Sequence, residues 1–293
     1  MNTQIKIAFL GGDARQRTAA VKLADEGYSV SFFGGTPDKV KGLKVESSLE
    51  DALASVKIAV LPLPSSVDGI TLNAPLFEGA QIKLSHIIDV LPSDTLLVGG
   101  RIPEASVKYA EEKGLRVIDY FISEVFQIKN AYTTAEAALS IAMNNMKKNI
   151  RGARFAVTGY GRIARSLTAL LKKMEASVCV LARKESDLAW ASLEGAEVKK
   201  LDASAVEQLT EGYDIIFNTV PAWLFFEDFL SKMSESTQII DLASSPGGVD
   251  VSAAKKLGSK VLWASSLPGK YAPDSAGALI ADCVRNIASE VSV

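Results

Sequence analysis

Arg154-Phe155-Ala156-Val157-Thr158-Gly159-Tyr160-Gly161-Arg162-Ile163-Ala164-Arg165 is the stretch on which the fold turns. An apolar run, RFAVT, ends in glycines spaced G-x-G-x-x-A and leads into a helical pattern over Ile163–Met174. Strand, tight turn and helix start follow one another in the order used by dinucleotide-binding α/β units. Gly159 permits the turn, Gly161 lets a pyrophosphate approach the backbone, and Ala164 lets helix and strand pack closely. The free N–H groups and partial positive charge of the helix start would complete an anion site. A plain strand-to-helix turn without a ligand is the alternative.

Lys6–Arg15, KIAFLGGDAR, echoes this pattern. Both stretches open an alternation of short apolar runs and helical patterns, the mark of βαβ units and a parallel sheet. In the first half the runs predict strands at 6–10, 29–33, 58–61, 95–99 and 116–119, and helices at 14–26, 49–55 and 103–113. In the second they predict strands at 154–158, 177–181, 197–200, 214–218, 237–241 and 260–263. The expected fold class is α/β, with two Rossmann-like doubly wound parallel-sheet domains and a cleft between them. Residues 1–130 form the substrate domain, which the C-terminal helix 274–293 completes. A linking helix occupies 131–150, ending in the basic run Lys147, Lys148, Arg151, and the NAD(P)-binding domain occupies 151–273.

Composition narrows the function classes. The chain has 293 residues, 48% hydrophobic and 23% charged, enough apolar content for two cores. The net charge of −2, with no Lys/Arg stripe, argues against nucleic acid. No apolar stretch reaches the ~18 residues of a membrane span. The start, MNTQIKIAFLGG, moves straight into a strand rather than a signal peptide, so a cytoplasmic protein is expected. Cys179 and Cys283 read as buried thiols in a reducing compartment. A single histidine and two scattered cysteines offer no zinc spacing.

The strand at 177–181 bears on the cofactor. An NAD site usually closes it with a carboxylate for the ribose 2′-hydroxyl. Here the run is Leu181-Ala182-Arg183-Lys184, and two cations stand where the carboxylate would be. Arg183 can fork onto a 2′-phosphate with Lys184 beside it, which favours NADP over NAD. Glu185 follows, and a one-residue slip would restore NAD. Asn218-Thr219-Val220-Pro221 closes a later strand, as do the loops from Asp241 (with Ala243 and Ser244) to Gly248 and from Ser266 to Pro273. Each is either ligand-contacting or turn chemistry.

KIAFLGGDARQ, VTGYGRIAR, IIDLASSPGGVD and SLPGKYAPDSAGALIAD together resemble the dipicolinate synthase A-subunit family of spore-forming Firmicutes, over nearly the whole chain. The resemblance implies oxidation of dihydrodipicolinate, or its hydrated tetrahydrodipicolinate precursor, to dipicolinate with NADP. It also implies the flavoprotein-like B subunit of dipicolinate synthase as partner, and the cytoplasm of the mother cell in a sporulating bacterium. A homo-oligomer is expected.

A cyclic dicarboxylate needs donors. Arg15 stands at the first helix start, Ser65 and Ser66 after a Pro-rich turn, Thr133 and Thr134 ahead of the linking helix, and Lys270 in the last loop. These are the candidate substrate residues. Their competing readings are a solvated arginine, turn serines, threonine N-caps and a surface lysine. His86 lies between apolar neighbours and reads as structural or surface, with acid–base catalysis as the alternative. A 2-hydroxy-acid dehydrogenase is disfavoured because Val261–Gly277 holds no histidine. An alanine-dehydrogenase-like enzyme and a non-catalytic NADP-binding protein remain open.

Overall fold

A computed structural model describes residues 5–35 and 43–291. Residues 292 and 293, expected in the last helix, lie outside them. The chain divides into two compact units, residues 1–130 with 272–293, and residues 131–271.

The first stretch runs β1 (Lys6–Leu10), α1 (Ala14–Asp25), β2 (Ser29–Phe33), β3 (Lys44–Val45), α2 (Leu49–Leu53), β4 (Ile58–Val60), α3 (Leu84–Val90), β5 (Leu96–Gly99), α4 (Glu104–Glu112), β6 (Arg116–Asp119), a 3-10 turn and α5 (Glu124–Asn145). Then come β7 (Arg154–Thr158), α6 (Arg162–Lys173), β8 (Ser177–Ala182), α7 (Glu185–Leu193), β9 (Glu197–Lys200), α8 (Ala203–Glu207) and β10 (Ile215–Asn218). The last are α9 (Glu227–Lys232), β11 (Gln238–Asp241), α10 (Val251–Leu257), β12 (Val261–Trp263), α11 (Leu267–Tyr271) and α12 (Pro273–Val291).

Among the described residues each unit holds one six-stranded sheet, in the orders β3-β2-β1-β4-β5-β6 and β12-β11-β10-β7-β8-β9. Every pairing is parallel. Both orders are the doubly wound 3-2-1-4-5-6, so the fold class expected from sequence holds. The inner strands are buried on both faces, as in other parallel sheets, while the edge strands β3, β6, β9 and β12 are partly exposed. In β1, Ile7 and Phe9 enter one core cluster and Ala8 and Leu10 the other. In β7, Phe155 and Val157 alternate with Ala156 in the same way, and Phe155 stacks on Phe217 at 5.9 Å.

The helix expected at 131–150 is corrected by the structure. It starts at Glu124 and ends at Asn145, so Thr133 and Thr134 are buried mid-helix residues, not its N-caps. The basic residues lie beyond its end, where Lys148 pairs with Asp214 at 2.6 Å and Arg151 with Glu175 at 2.6 Å. Pro103 is the N-cap of α4 rather than its first residue.

Candidate functional site

In β7 the backbone runs straight into Gly159, whose φ of +87° suits glycine alone among common residues. A Cβ there would fall 2.5 Å from Thr219 Oγ1, in the loop after the neighbouring strand β10. Gly161 then serves as the N-cap of α6 and supplies no side-chain acceptor. A Cβ on Gly161 would meet nothing within 4 Å. The first turn of α6 therefore presents uncapped amides toward open space at the switch point between β7 and β10, as a pyrophosphate requires. Arg162 is exposed and Ile163 half-buried on this turn. Tyr160 contributes backbone only. Its ring is buried in the core, and burial pushes its hydroxyl well above the usual phenol range.

The corresponding turn of the first unit is closed. Asp13 caps α1, accepting from the Arg15 amide. The Gly12 amide donates to the Asn73 carbonyl at 2.8 Å, and a Cβ on Gly11 would strike Leu72. A carboxylate cap and an occupied turn leave α1 no room for a phosphate, so of the two glycine turns only that of the second unit offers a dinucleotide site.

Beyond β8, Arg183 and Lys184 are exposed and make no ion pair among the described residues. Glu185 is bound to Lys200 of β9 at 2.5 Å. Ala182 is buried and shapes the floor of the strand end. A cavity of about 580 Å3 opens at the carboxyl ends of β8, β9 and β10, lined by Arg183, Leu201, Val206, Val220, Trp223 and Phe226 among others. Trp223 and Phe226 meet edge to face, centroids 5.9 Å apart. This slot suits a flat base, with Arg183 at a rim that also carries Asp202, Glu207 and Asp228. Trp223, Phe226 and Val206 carry no motif, since Val206 of α8 meets the Trp223–Phe226 loop only in the fold.

Asn218 and Asp241 shape the loops from inside. Asn218 is fully buried; its Oδ1 accepts from Thr158 Oγ1 at 2.6 Å and its Nδ2 donates to Asp241 Oδ1 at 2.8 Å. Asp241 also accepts from the Ala243 and Gly248 amides at 3.0 and 2.7 Å. Thr219 Oγ1 donates to the Thr158 carbonyl. These side chains are spent on holding the loops, leaving half-buried Thr219 and Val220 and exposed Pro221 and Ser244 along the strand ends.

Of the candidate substrate residues, Arg15 and Ser65 both hold the turn at 62–65. Arg15 is largely buried, with its guanidinium on Asp13 at 2.8–3.1 Å and on the Leu63 carbonyl at 2.6 Å. It is neutralised in place rather than offered to a ligand. Ser65 is fully buried, donating to the Pro62 and Gly100 carbonyls, both at 3.1 Å. Ser66 closes a turn, donating to Asp68 and accepting from the Gly69 amide. Lys270 is exposed in the last turn of α11, not in an open loop. His86 is exposed on α3. Both cysteines are free. No helix among the described residues is long and apolar enough to cross a membrane, and no metal-binding cluster occurs among them.

An open glycine turn on a doubly wound sheet defines the class: a dehydrogenase-type protein that takes a nicotinamide dinucleotide. Residues 100–254, over half of the chain, match the NAD-binding domain of D-isomer specific 2-hydroxyacid dehydrogenases. Residues 6–121 match the N-terminal domain of the dipicolinate synthase A subunit, and the chain resembles that subunit over nearly its whole length. The A subunit of dipicolinate synthase from Bacillus subtilis (strain 168) is 27% identical over 294 residues, 99% of this chain and 98% of that one. The crystal structure of the dipicolinate synthase A subunit from Bacillus halodurans is similar at a TM-score of 0.85 and 28% identity, covering 98% of each chain. That of the dipicolinate synthase A chain from Bacillus subtilis has a TM-score of 0.85 and 26% identity, covering 100% of this chain and 98% of its own. A transhydrogenase from Sinorhizobium meliloti, 15% identical at a TM-score of 0.70 over 98% of this chain and 94% of its own, shares the fold.

Proposed function

We propose that the chain oxidises dihydrodipicolinate, or its hydrated tetrahydrodipicolinate precursor, to dipicolinate with NADP, as one component of a synthase whose other component is flavoprotein-like. The substrate reading rests on the relatives named as dipicolinate synthase A subunits. The observation that carries the cofactor reading is the pair of unopposed cations, Arg183 and Lys184, where an NAD site holds a carboxylate. Glu185, which a shifted register would offer to NAD, is engaged by Lys200.

The residues suit this chemistry. When bound, the nicotinamide accepts a hydride. The chain's own groups hold and orient: the open amides of α6 for the pyrophosphate, Arg183 and Lys184 for the 2′-phosphate, and the Trp223–Phe226 slot for the adenosine. Loss of a hydride and a proton turns the substrate ring into an aromatic pyridine. The step is downhill and needs little acid–base help. A chain whose single histidine sits exposed on α3 meets that demand.

The test is the purified protein with NADP and freshly generated dihydrodipicolinate, following NADPH and dipicolinate together. Equal formation of both is expected. Turnover appearing only when the flavoprotein-like partner is added would make this protein a nucleotide-binding component without independent activity. Oxidation of L-alanine with NAD, and none of dihydrodipicolinate, would transfer it to the alanine-dehydrogenase class.

A further inference from the structure

We propose that Arg101 grips one carboxylate of the substrate, in the role the sequence suggests for Arg15; the inference rests on the dicarboxylate substrate proposed above. Open α/β sheets take their ligands beyond the carboxyl ends of the strands. At that end of β5 the chain reads Gly99-Gly100-Arg101. Arg101 has φ +53°, the left-handed region, which costs a long side chain energy and persists only where its surroundings enforce it.

The surroundings do enforce it, from both sides. The Gly100 carbonyl accepts from the Ser65 amide at 2.8 Å and from Ser65 Oγ at 3.1 Å. Asp119 accepts the Arg101 amide at 3.1 Å, the Ile102 amide at 2.9 Å and the Phe121 amide at 2.8 Å. A Cβ on Gly99 would lie 2.7 Å from Ser65 Oγ, and one on Gly100 would lie 2.8 Å from Leu63 Cδ1. Ser65, one of the candidate donors, thus acts as a positioning residue for this turn.

What the turn holds out is a free cation. The Arg101 guanidinium lies 4.3 Å from the centroid of the Phe121 ring. The side chain is exposed and makes no ion pair among the described residues. Asp119 is committed to backbone amides. Stacking on an aromatic face fixes the guanidinium plane and leaves its donor fork pointing outward, the arrangement that receives a carboxylate through two parallel hydrogen bonds. Arg15 has already made that pairing, with Asp13.

Calorimetric titration of the full chain with dipicolinate, picolinate and NADP tests the assignment. Arg101→Ala and Arg101→Gln should weaken dipicolinate about 10- to 100-fold and leave NADP unchanged. Arg101→Lys should recover only part of the loss, since an ammonium lacks the fork. Arg101→Gly should lose binding equally while melting at or above the wild-type temperature, because glycine relieves the left-handed strain. A purely structural arginine would not separate binding from stability in this way. Wild-type affinity for dipicolinate in the glycine and alanine variants overturns the role of Arg101 and leaves the proposed reaction standing, as does a loss confined to NADP. Failure of the wild-type protein to bind dipicolinate or oxidise dihydrodipicolinate removes the substrate reading, and this inference with it.

Discussion

Arg183 and Arg15 show what spacing reveals about a residue and what it hides. Arg183 is legible because its distance from the glycines fixes its place: it is the first residue past β8. We expect Arg183→Ala with Lys184→Ala to weaken NADP about 10- to 100-fold and to change NAD by less than about threefold. Parallel titrations with the two nucleotides check this, and an unaltered preference for NADP would sink the assignment. Arg15 is less legible because its surroundings depend on Asp13. Residues two apart on a helix do not face each other, but Asp13 is the N-cap, off the helical path, and reaches both the Arg15 amide and its guanidinium. Sequence places the arginine and not its partner. Ser65 is hidden in a similar way, since the Gly100 carbonyl that holds it belongs to a separate segment.

α1 and α6 begin alike in sequence and differ in what their first turns hold. α1 is satisfied internally by Asp13, whereas α6 is uncapped at Gly161. Asp13→Ala removes an N-cap worth about 1 kcal/mol and strands a largely buried guanidinium, so a total loss of about 2–4 kcal/mol is expected. Urea unfolding measures it, with NADP affinity unchanged because that site lies in the other unit. Asp13→Asn, which keeps an acceptor, should lose less. Among the elements, every strand but the two-residue β3 was legible, most because an apolar run ends at turn-forming or polar residues. The helices α3, α7, α8, α9 and α10 were not, being five to nine residues long with little room to display a period, whereas the equally short α2 was. α5 begins well before its pattern shows. Ile122, Val125 and Ile128 are exposed apolar residues that mark no buried face, so the first clear periodicity begins downstream.

The first unit is assembled from two separated segments, and its core cluster joins Ala19, Ala20 and Leu23 of α1 to Ile280, Ala281 and Val284 of α12. Gly277 makes the approach possible: a Cβ there would lie 2.6 Å from the Arg15 carbonyl and 2.6 Å from Thr18 Cβ. Gly277→Val should cost about 1–3 kcal/mol, read by thermal melting, because backbone cannot yield as a side chain can. Cys283 of α12 adds a pH dependence. Burial and the nearby Asp282 raise its thiol from 9.0 to about 11. The folded state thus retains a proton that the unfolded chain gives up. Its contribution is complete below pH 9 and declines as pH rises from about 9 to 11. Melting temperature should fall across that window, and Cys283→Ser should flatten part of the slope; an unchanged slope would remove Cys283 as its source.

A chain that starts one body, completes another and then returns to the first imposes a timetable on its own synthesis. Domains usually mature on the ribosome from the amino terminus onward. Here residues 131–271 are translated in full before Ile280 and Val284 exist to cover the apolar side of Ala19 and Leu23. The nucleotide-binding body can therefore mature while the earlier-made body still lacks a wall, and that exposed flank is what a chaperone would meet on the nascent polypeptide.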